Sequence, residues 1–328
     1  MSITQVAQHA GVSISTVSRY LRGSLNVNPV TAQKINEAAR LFGYTPRSNA
    51  NEQSNSIALI VPALQNPFYS SLAQSVAQAA ITADYQLDIK ISQADPKREA
   101  DLVNDIAKNR NYFGLLYAGM NSTNPALGRI QPAGIRMVLM DEQVDDPSLG
   151  ELNSVTADNY SGAYQAVRYL VSLGHKRISY LSGPTALSTS KERLRGYATA
   201  LSGANIPTDD SIIFSGPYTE EFGSSIFPYL IENPEPPTAI FCGSDIAAVG
   251  LLGAAEQYGL KIPDDLSVIG CDGIHIGQWL KPSLTTLQQP IDDIARTAIE
   301  LLANTDEPRQ VQLPLNLVIR NSTARVER

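Results

Sequence analysis

Two cysteines in 328 residues are too few for a disulfide framework. Cys242 and Cys271 each end a short apolar run, where a small buried hydrophobe is expected rather than a reactive pair. Histidine is nearly as scarce. His9, His175 and His275 are scattered without metal-ligand spacing, so no metal is expected. No apolar run approaches a membrane span and the N-terminus has no signal-peptide core, which predicts a cytoplasmic protein with no membrane partner. Gly-x-Gly-x-x-Gly, Walker and Gly-x-Ser-x-Gly patterns are also missing. No cofactor and no catalytic residue are therefore expected.

Acid is what the first 50 residues lack. Arg19, Arg22, Lys34, Arg40 and Arg47 face the single acid Glu37, a local charge of +4 in a chain of net charge −7. That asymmetry favours a nucleic-acid partner, which the overall acidity would hide. The same segment predicts three short helices. Ser2-Ile-Thr-Gln5 has the spacing of a capping box before Val6, Ala7 and Ala10. Gly11 turns the chain and Ser13 caps a second helix. Asn28-Pro29 opens a third, in which Val30, Ile35, Ala39 and Phe42 recur at helical spacing. On the second helix, at about 100° per residue, Ile14, Ser15, Ser18, Arg19 and Arg22 share one face while Val17 and Leu21 point away. This is the layout of a helix-turn-helix whose second helix enters the major groove. A small helical domain with merely solvated charges is the competing reading.

Residues 46–55 contain no Leu, Ile, Val or aromatic side chain and read as a linker. Beyond them, 43% apolar and 17% charged residues overall fit a globular protein. Short apolar runs, Ile57–Val61, Leu87–Ile91, Phe113–Tyr117 and Met137–Met140, alternate with helix-like stretches near 67–84 and 97–110. The rhythm resumes with Ile178–Leu181, Ala239–Cys242 and Leu266–Cys271, among helices near 159–173, 190–203, 221–231 and 245–258. A helix near 291–303 and a strand near Gln310–Ile319 close the chain. Two doubly wound α/β halves follow.

Ligands of open parallel sheets sit beyond the carboxyl ends of the strands. There the sequence places Asn66-Pro-Phe-Tyr69, Asp141, Ser182, Ser244-Asp245 and Asp272. Carboxylates with aromatic rings suit a polar ring ligand, because acids bond its hydroxyls and rings cover its apolar face. Two bland readings compete: Asp245 as a helix N-cap and Phe68 as plain core.

The chain resembles the LacI/GalR family of bacterial transcription regulators over nearly its whole length. Val6-Ala7, Ala10-Gly-Val-Ser13, Thr16-Val-Ser-Arg19 and Gly43-Tyr-Thr-Pro46 carry the likeness in the headpiece. Ile60-Val-Pro62 with Asn66-Pro-Phe68, Asp158-Asn159, Gly174-His-Lys-Arg177, Gly196-Tyr197, Leu266-Ser-Val-Ile-Gly270 and Pro282-Ser-Leu-Thr-Thr286 carry it beyond. The run Pro236–Asp245 leans toward the cytidine-repressor branch. The resemblance implies an all-α helix-turn-helix headpiece joined to an α/β periplasmic-binding-protein-like core of two doubly wound parallel-sheet subdomains. The divisions are 1–46 for the headpiece, 47–55 for the hinge and 56–328 for the core. Within the core, about 56–157 with 288–317 form one subdomain and about 158–287 with 318–328 the other.

It further implies a homodimer that represses transcription from double-stranded operator DNA. A small effector, a sugar, sugar phosphate or nucleoside, would bind between the subdomains. By position, Ile14, Ser15 and Arg19 contact bases, and Ser2, Ser13, Thr16, Ser18 and Arg22 contact the DNA backbone. Phe68, Tyr69, Asp141, Arg193, Ser244 and Asp272 bind effector; for Arg193 a surface ion pair with Glu192 is the alternative.

Three departures limit the transfer. Arg47 and Gln53 replace the family's hinge asparagine and minor-groove leucine, with Ala50-Asn51 between them and a shorter linker, so the hinge is expected to couple effector to operator weakly or by dimer geometry alone. Ser244 stands for a common Asn, and Gly273 for an acid or amide after Asp272. Arg22 replaces an Asn and adds a candidate phosphate contact. An enzyme on the doubly wound fold and a periplasmic-type solute-binding protein are the competing functions.

Overall fold

The computed structural model describes residues 3–21, 25–44, 55–109, 111–304 and 307–326. Ser2, Arg22, Arg47, Ala50, Asn51 and Gln53 lie outside them. The chain divides between residues 54 and 55 into two compact units.

The first unit holds α1 (Ile3–Ala10), α2 (Ile14–Leu21) and α3 (Pro29–Leu41). Gly11, at φ +67°, makes the turn that brings Val12 N–H onto the Ala7 carbonyl. Val6, Ala7, Ala10, Val17, Ile35 and Ala38 form the core, because each helix turns one apolar stripe inward. Asn28 caps α3 by accepting from Thr31 N–H at 2.8 Å, with Pro29 at its first position. Val30 does not join the core; it is 65% exposed. Five residues separate it from Ile35, which turns it about 140° off that face.

The second unit holds two six-stranded sheets. The first comprises β1 (Ser56–Val61), β2 (Gln86–Ile91), β3 (Tyr112–Tyr117), β4 (Arg136–Met140), β5 (Asn153–Ala157) and β11 (Gln310–Leu313). The second comprises β6 (Ile178–Ser182), β7 (Ile213–Ser215), β8 (Ala239–Cys242), β9 (Ser267–Asp272), β10 (Thr285–Gln288) and β12 (Asn316–Val318). Spatial orders are β2-β1-β3-β4-β5-β11 and β7-β6-β8-β9-β10-β12, so the two lobes repeat one doubly wound topology. Pairing is parallel except between β10 and β12.

Helices cover both faces, as a buried parallel sheet requires. In the first lobe α4 (Pro67–Thr82) and α10 (Ile291–Ala303) pack on one face and α5 (Pro96–Lys108) on the other. In the second, α6 (Asn159–Ser172) and α7 (Ser188–Ser202) oppose α8 (Glu220–Ile231) and α9 (Asp245–Gln257). Cys242 and Cys271 are buried and free, and burial raises both thiols.

Two expectations needed correction. The terminal strand over 310–319 is two strands, because Pro314 and Leu315 separate β11, which pairs with β5, from β12, which pairs with β10. The chain thus crosses between the lobes three times, after β5, β10 and β11. Strands β5, β7 and β10 were also missing from the sequence reading. Asn153-Ser-Val-Thr-Ala157 and Thr285-Thr-Leu-Gln288 carry few large apolar residues, and β7 has only three residues.

Candidate functional site

In the first unit, Ser13 caps α2: its Oγ accepts from Thr16 N–H at 3.0 Å and lies 2.7 Å from Thr16 Oγ1 and 2.8 Å from Ser15 Oγ. Val17 is fully buried beneath, which fixes the rotation of the helix. Ile14, at 46% exposure, and exposed Ser15 and Arg19 therefore face outward, with Ser18 half-buried. A helix exposing two hydroxyls, an aliphatic tip and a guanidinium offers hydrogen bonds and apolar contact to base edges.

In the second unit, one cavity gathers Phe68, Tyr69, Asp141, Arg193, Ser244 and Asp272, which stand on five separate elements or strand ends. It is lined as well by Asn66, Glu142, Thr189, Tyr218 and Gln289. Ser182 is not in the lining.

Each side chain is set by its local fold. Asn66 caps α4, accepting from Phe68 N–H at 3.0 Å, so Phe68 and Tyr69 ride on the first helical turn with rings 4.9 Å apart, edge to face. Asp141 follows β4 and Asp272 ends β9, at φ +67° and +125°. A left-handed backbone at a residue with a Cβ costs energy, and such strain collects where a side chain must be aimed. Gln289, just past β10, donates to Asp272 Oδ1 at 3.0 Å through Nε2, and its N–H donates to the Asp272 carbonyl at 3.1 Å. The Gln289 Oε1 is buried without a hydrogen-bond partner.

Arg193 is only 3% exposed. Its Nε donates to Asn159 Oδ1 at 2.8 Å, Nη1 donates to the Gly243 carbonyl, and Nη2 lies 4.0 Å from Asp272 Oδ1. Gly196 makes this possible: a Cβ there would lie 2.3 Å from the Tyr160 carbonyl, so only glycine lets α7 settle on α6. Arg193 is therefore buried rather than in a surface ion pair with Glu192, which accepts from Arg195 at 2.6 Å instead.

Burial controls the electrostatics. Desolvation, helped by the Glu142 charge, pushes Asp141 up to about 7 against the pull of Arg193 and the Tyr69 hydroxyl. Desolvation likewise pushes Asp272 up to about 8, against Arg193. The Tyr218 hydroxyl rises to about 12 by burial. At neutral pH the cavity thus offers carboxyls poised between donor and acceptor forms, suited to ligand hydroxyls.

Ser244 lines the cavity while capping α9, its Oγ accepting from Ala247 N–H at 3.3 Å. Asp245 is therefore not the cap. Its carboxylate accepts from Gly273 and Ile274 N–H, both at 2.8 Å, and from the Thr286 hydroxyl at 2.6 Å, so it braces the loop that follows Asp272. The sequence reading missed Tyr218, Gln289, Thr189 and Glu142 as lining residues. Tyr218 and Gln289 follow β7 and β10, the strands it also missed; Thr189 opens α7 earlier than expected; Glu142 adjoins Asp141. The strand-end rule would have found the first two had those strands been recognised.

Among the described residues no His, Cys, Asp and Glu group could hold a metal, and no helix is long and apolar enough to cross a membrane.

Residues 2–47 match the family described as bacterial regulatory proteins, lacI family, and residues 167–323 match a periplasmic binding protein-like domain. The chain is 35% identical over 331 residues to the HTH-type transcriptional repressor CytR of Escherichia coli (strain K12), covering 98% of this chain and 96% of that one. It is 32% identical over 333 residues to catabolite control protein A of Priestia megaterium, covering 98% and 99%. Among solved structures, a transcriptional regulator CelR–cellobiose complex superposes with TM-score 0.76 at 26% identity, covering 98% of this chain and 99% of that one. These relatives are regulators, and nothing among them supports the enzyme alternative. The chain belongs to the LacI family and is a DNA-binding transcription regulator, not an enzyme.

Proposed function

We propose that this protein is a cytoplasmic, homodimeric repressor whose grip on operator DNA is set by a sugar or nucleoside bound between its two lobes. The observation that carries the reading is the single cavity on which six effector positions converge, three from each lobe. Phe68, Tyr69 and Asp141 come from the first lobe; Arg193, Ser244 and Asp272 come from the second. The sugar class is supported by the cellobiose held by the CelR relative and by the mix of carboxyl, guanidinium and ring groups here.

In this reading residues 1–46 are the headpiece, 47–55 the hinge and 56–328 the effector and dimerisation core. Ile14, Ser15 and Arg19 read bases; Ser13, Thr16 and Ser18, with Ser2 and Arg22, grip the backbone. An effector shifts the regulator only through its different affinity for two arrangements of the lobes. In a dimer, a change of lobe angle alters the spacing of the two headpieces and hence their fit to two half-sites.

The test joins a thermal-shift screen of pentoses, hexoses, disaccharides and nucleosides to operator titrations with and without each hit. A single chemical class should raise the melting temperature and change operator affinity. In the same titrations, Arg19→Ala should relax preference at one operator position, a loss of about 1–3 kcal/mol of discrimination. Uniform loss on every sequence would remove Arg19 from the base readers.

A further inference from the structure

Helix α7 begins without a cap of its own, since Leu187 precedes it and supplies no side-chain acceptor. The acceptor comes from the other lobe. Glu142, 4% exposed and two residues beyond β4, accepts from Ser188 Oγ at 2.6 Å and from Thr189 N–H at 3.2 Å on one carboxylate oxygen. Its second oxygen accepts from the Thr189 hydroxyl. Next to it, Gln143 N–H donates to Ser188 Oγ at 3.0 Å. These contacts are protein to protein, so they join the lobes without requiring a ligand.

The start of a helix concentrates unpaired N–H groups and positive potential, the position at which an anion is favoured. In this chain a carboxylate of the first lobe already fills it, at the wall of the effector cavity. The cationic side chain of this lining is already engaged elsewhere. Arg193 is the cation of the lining, with Nε committed to Asn159 and Nη1 to Gly243, and it stands among Asp141, Glu142 and Asp272. A phosphate seeking the N–H groups that open α7 would have to displace the Glu142 carboxylate from them.

We propose that Glu142 sets the charge class of the effector: by plugging the N-terminus of α7 it ties the lobes together and restricts the cavity to uncharged hydroxylated ligands, excluding their phosphates. The proposal rests on the effector reading of this cavity, narrows the sugar, sugar phosphate and nucleoside classes to the unphosphorylated ones, and assigns a role to a residue outside the expected set.

Calorimetric titration of the full-length protein with matched pairs tests it: D-ribose and ribose 5-phosphate, D-glucose and glucose 6-phosphate, uridine and uridine monophosphate. Like-charge contact costs several kcal/mol, so the phosphorylated member of a binding pair should be weaker by on the order of a hundredfold. Glu142→Gln, which keeps the shape and removes the charge, should narrow that gap. Equal affinity of wild type for both members, or an unchanged ratio in Glu142→Gln, overturns the selectivity.

A second measurement needs no ligand. Spin labels on Lys97→Cys and Glu221→Cys, both exposed, at the starts of α5 and α8 in different lobes, report the lobe separation, and the buried native thiols should not react. Glu142→Ala, and to a lesser degree Glu142→Gln, should lengthen and broaden the distance distribution; identical distributions in all three proteins overturn the tie. If no pair binds while the distance still responds to Glu142, the effector reading fails and the tie stands.

Discussion

At Asp272 a left-handed backbone and a buried carboxyl meet in the wall of the cavity. Its backbone is held at φ +125° by neighbours, its carboxyl is buried, and burial raises its pKa to about 8 despite Arg193 at 4.0 Å. The unfolded chain releases this proton near 4, the native state retains it until far higher pH. Native protein therefore binds more protons across that window, and its stability falls as pH rises from about 4 through about 8. Asp141, raised to about 7, adds to the same slope. Between about pH 5 and pH 8 the effector-free melting temperature of the wild type should fall more than that of Asp272→Asn, which has no proton to lose. The same variant should lose most effector-induced stabilisation, because an amide has a fixed donor and a fixed acceptor whereas the carboxyl can switch between the two forms. Parallel pH profiles for the two proteins would show that Asp272 is ionised in the native state throughout.

At the scale of elements, what sequence could show was burial. Ile57–Val61 and Ala239–Cys242 announce themselves because strands covered on both faces need continuous apolar runs. Strand β5 pairs just as well with β4 and β11, yet Asn153-Ser-Val-Thr-Ala157 is invisible by that rule. The cavity was legible for the same reason and to the same extent: Phe68, Tyr69, Asp141, Ser244 and Asp272 follow recognised strands, whereas Tyr218 and Gln289 follow unrecognised ones. Arg193 came from likeness to the family, because no strand end leads to the middle of α7. Tertiary contact alone reveals why Gly196 is required there. Gly196→Val would drive its side chain into Tyr160 and Ala163, lift α7 from α6 and cost about 1–3 kcal/mol as overpacking does. Since α7 carries both Thr189 and Arg193, effector-induced stabilisation should weaken along with the melting temperature. A variant that melts lower but retains its full effector shift would separate helix packing from the site.

For the whole molecule, the decisive fact is that two units have independent cores. Val6, Ala7, Ala10, Val17, Ile35 and Ala38 close a cluster of their own, and residues 46–55 contribute no large apolar side chain with which to extend it. Charge is divided in the same way, with five cations against one acid in the first 50 residues of a chain of net charge −7. Operator affinity should therefore fall steeply with salt although the protein as a whole is acidic, because phosphate contacts arise from the basic unit alone. The cavity of Phe68, Tyr69, Asp141, Arg193, Ser244 and Asp272 lies entirely in the second unit. A fragment beginning at residue 55 should keep the effector-induced rise in melting temperature and its pH dependence while losing operator binding at every salt concentration. Should the fragment lose the effector response as well, the second unit would not be a self-sufficient effector module, and the division of labour drawn from the separate cores would fail.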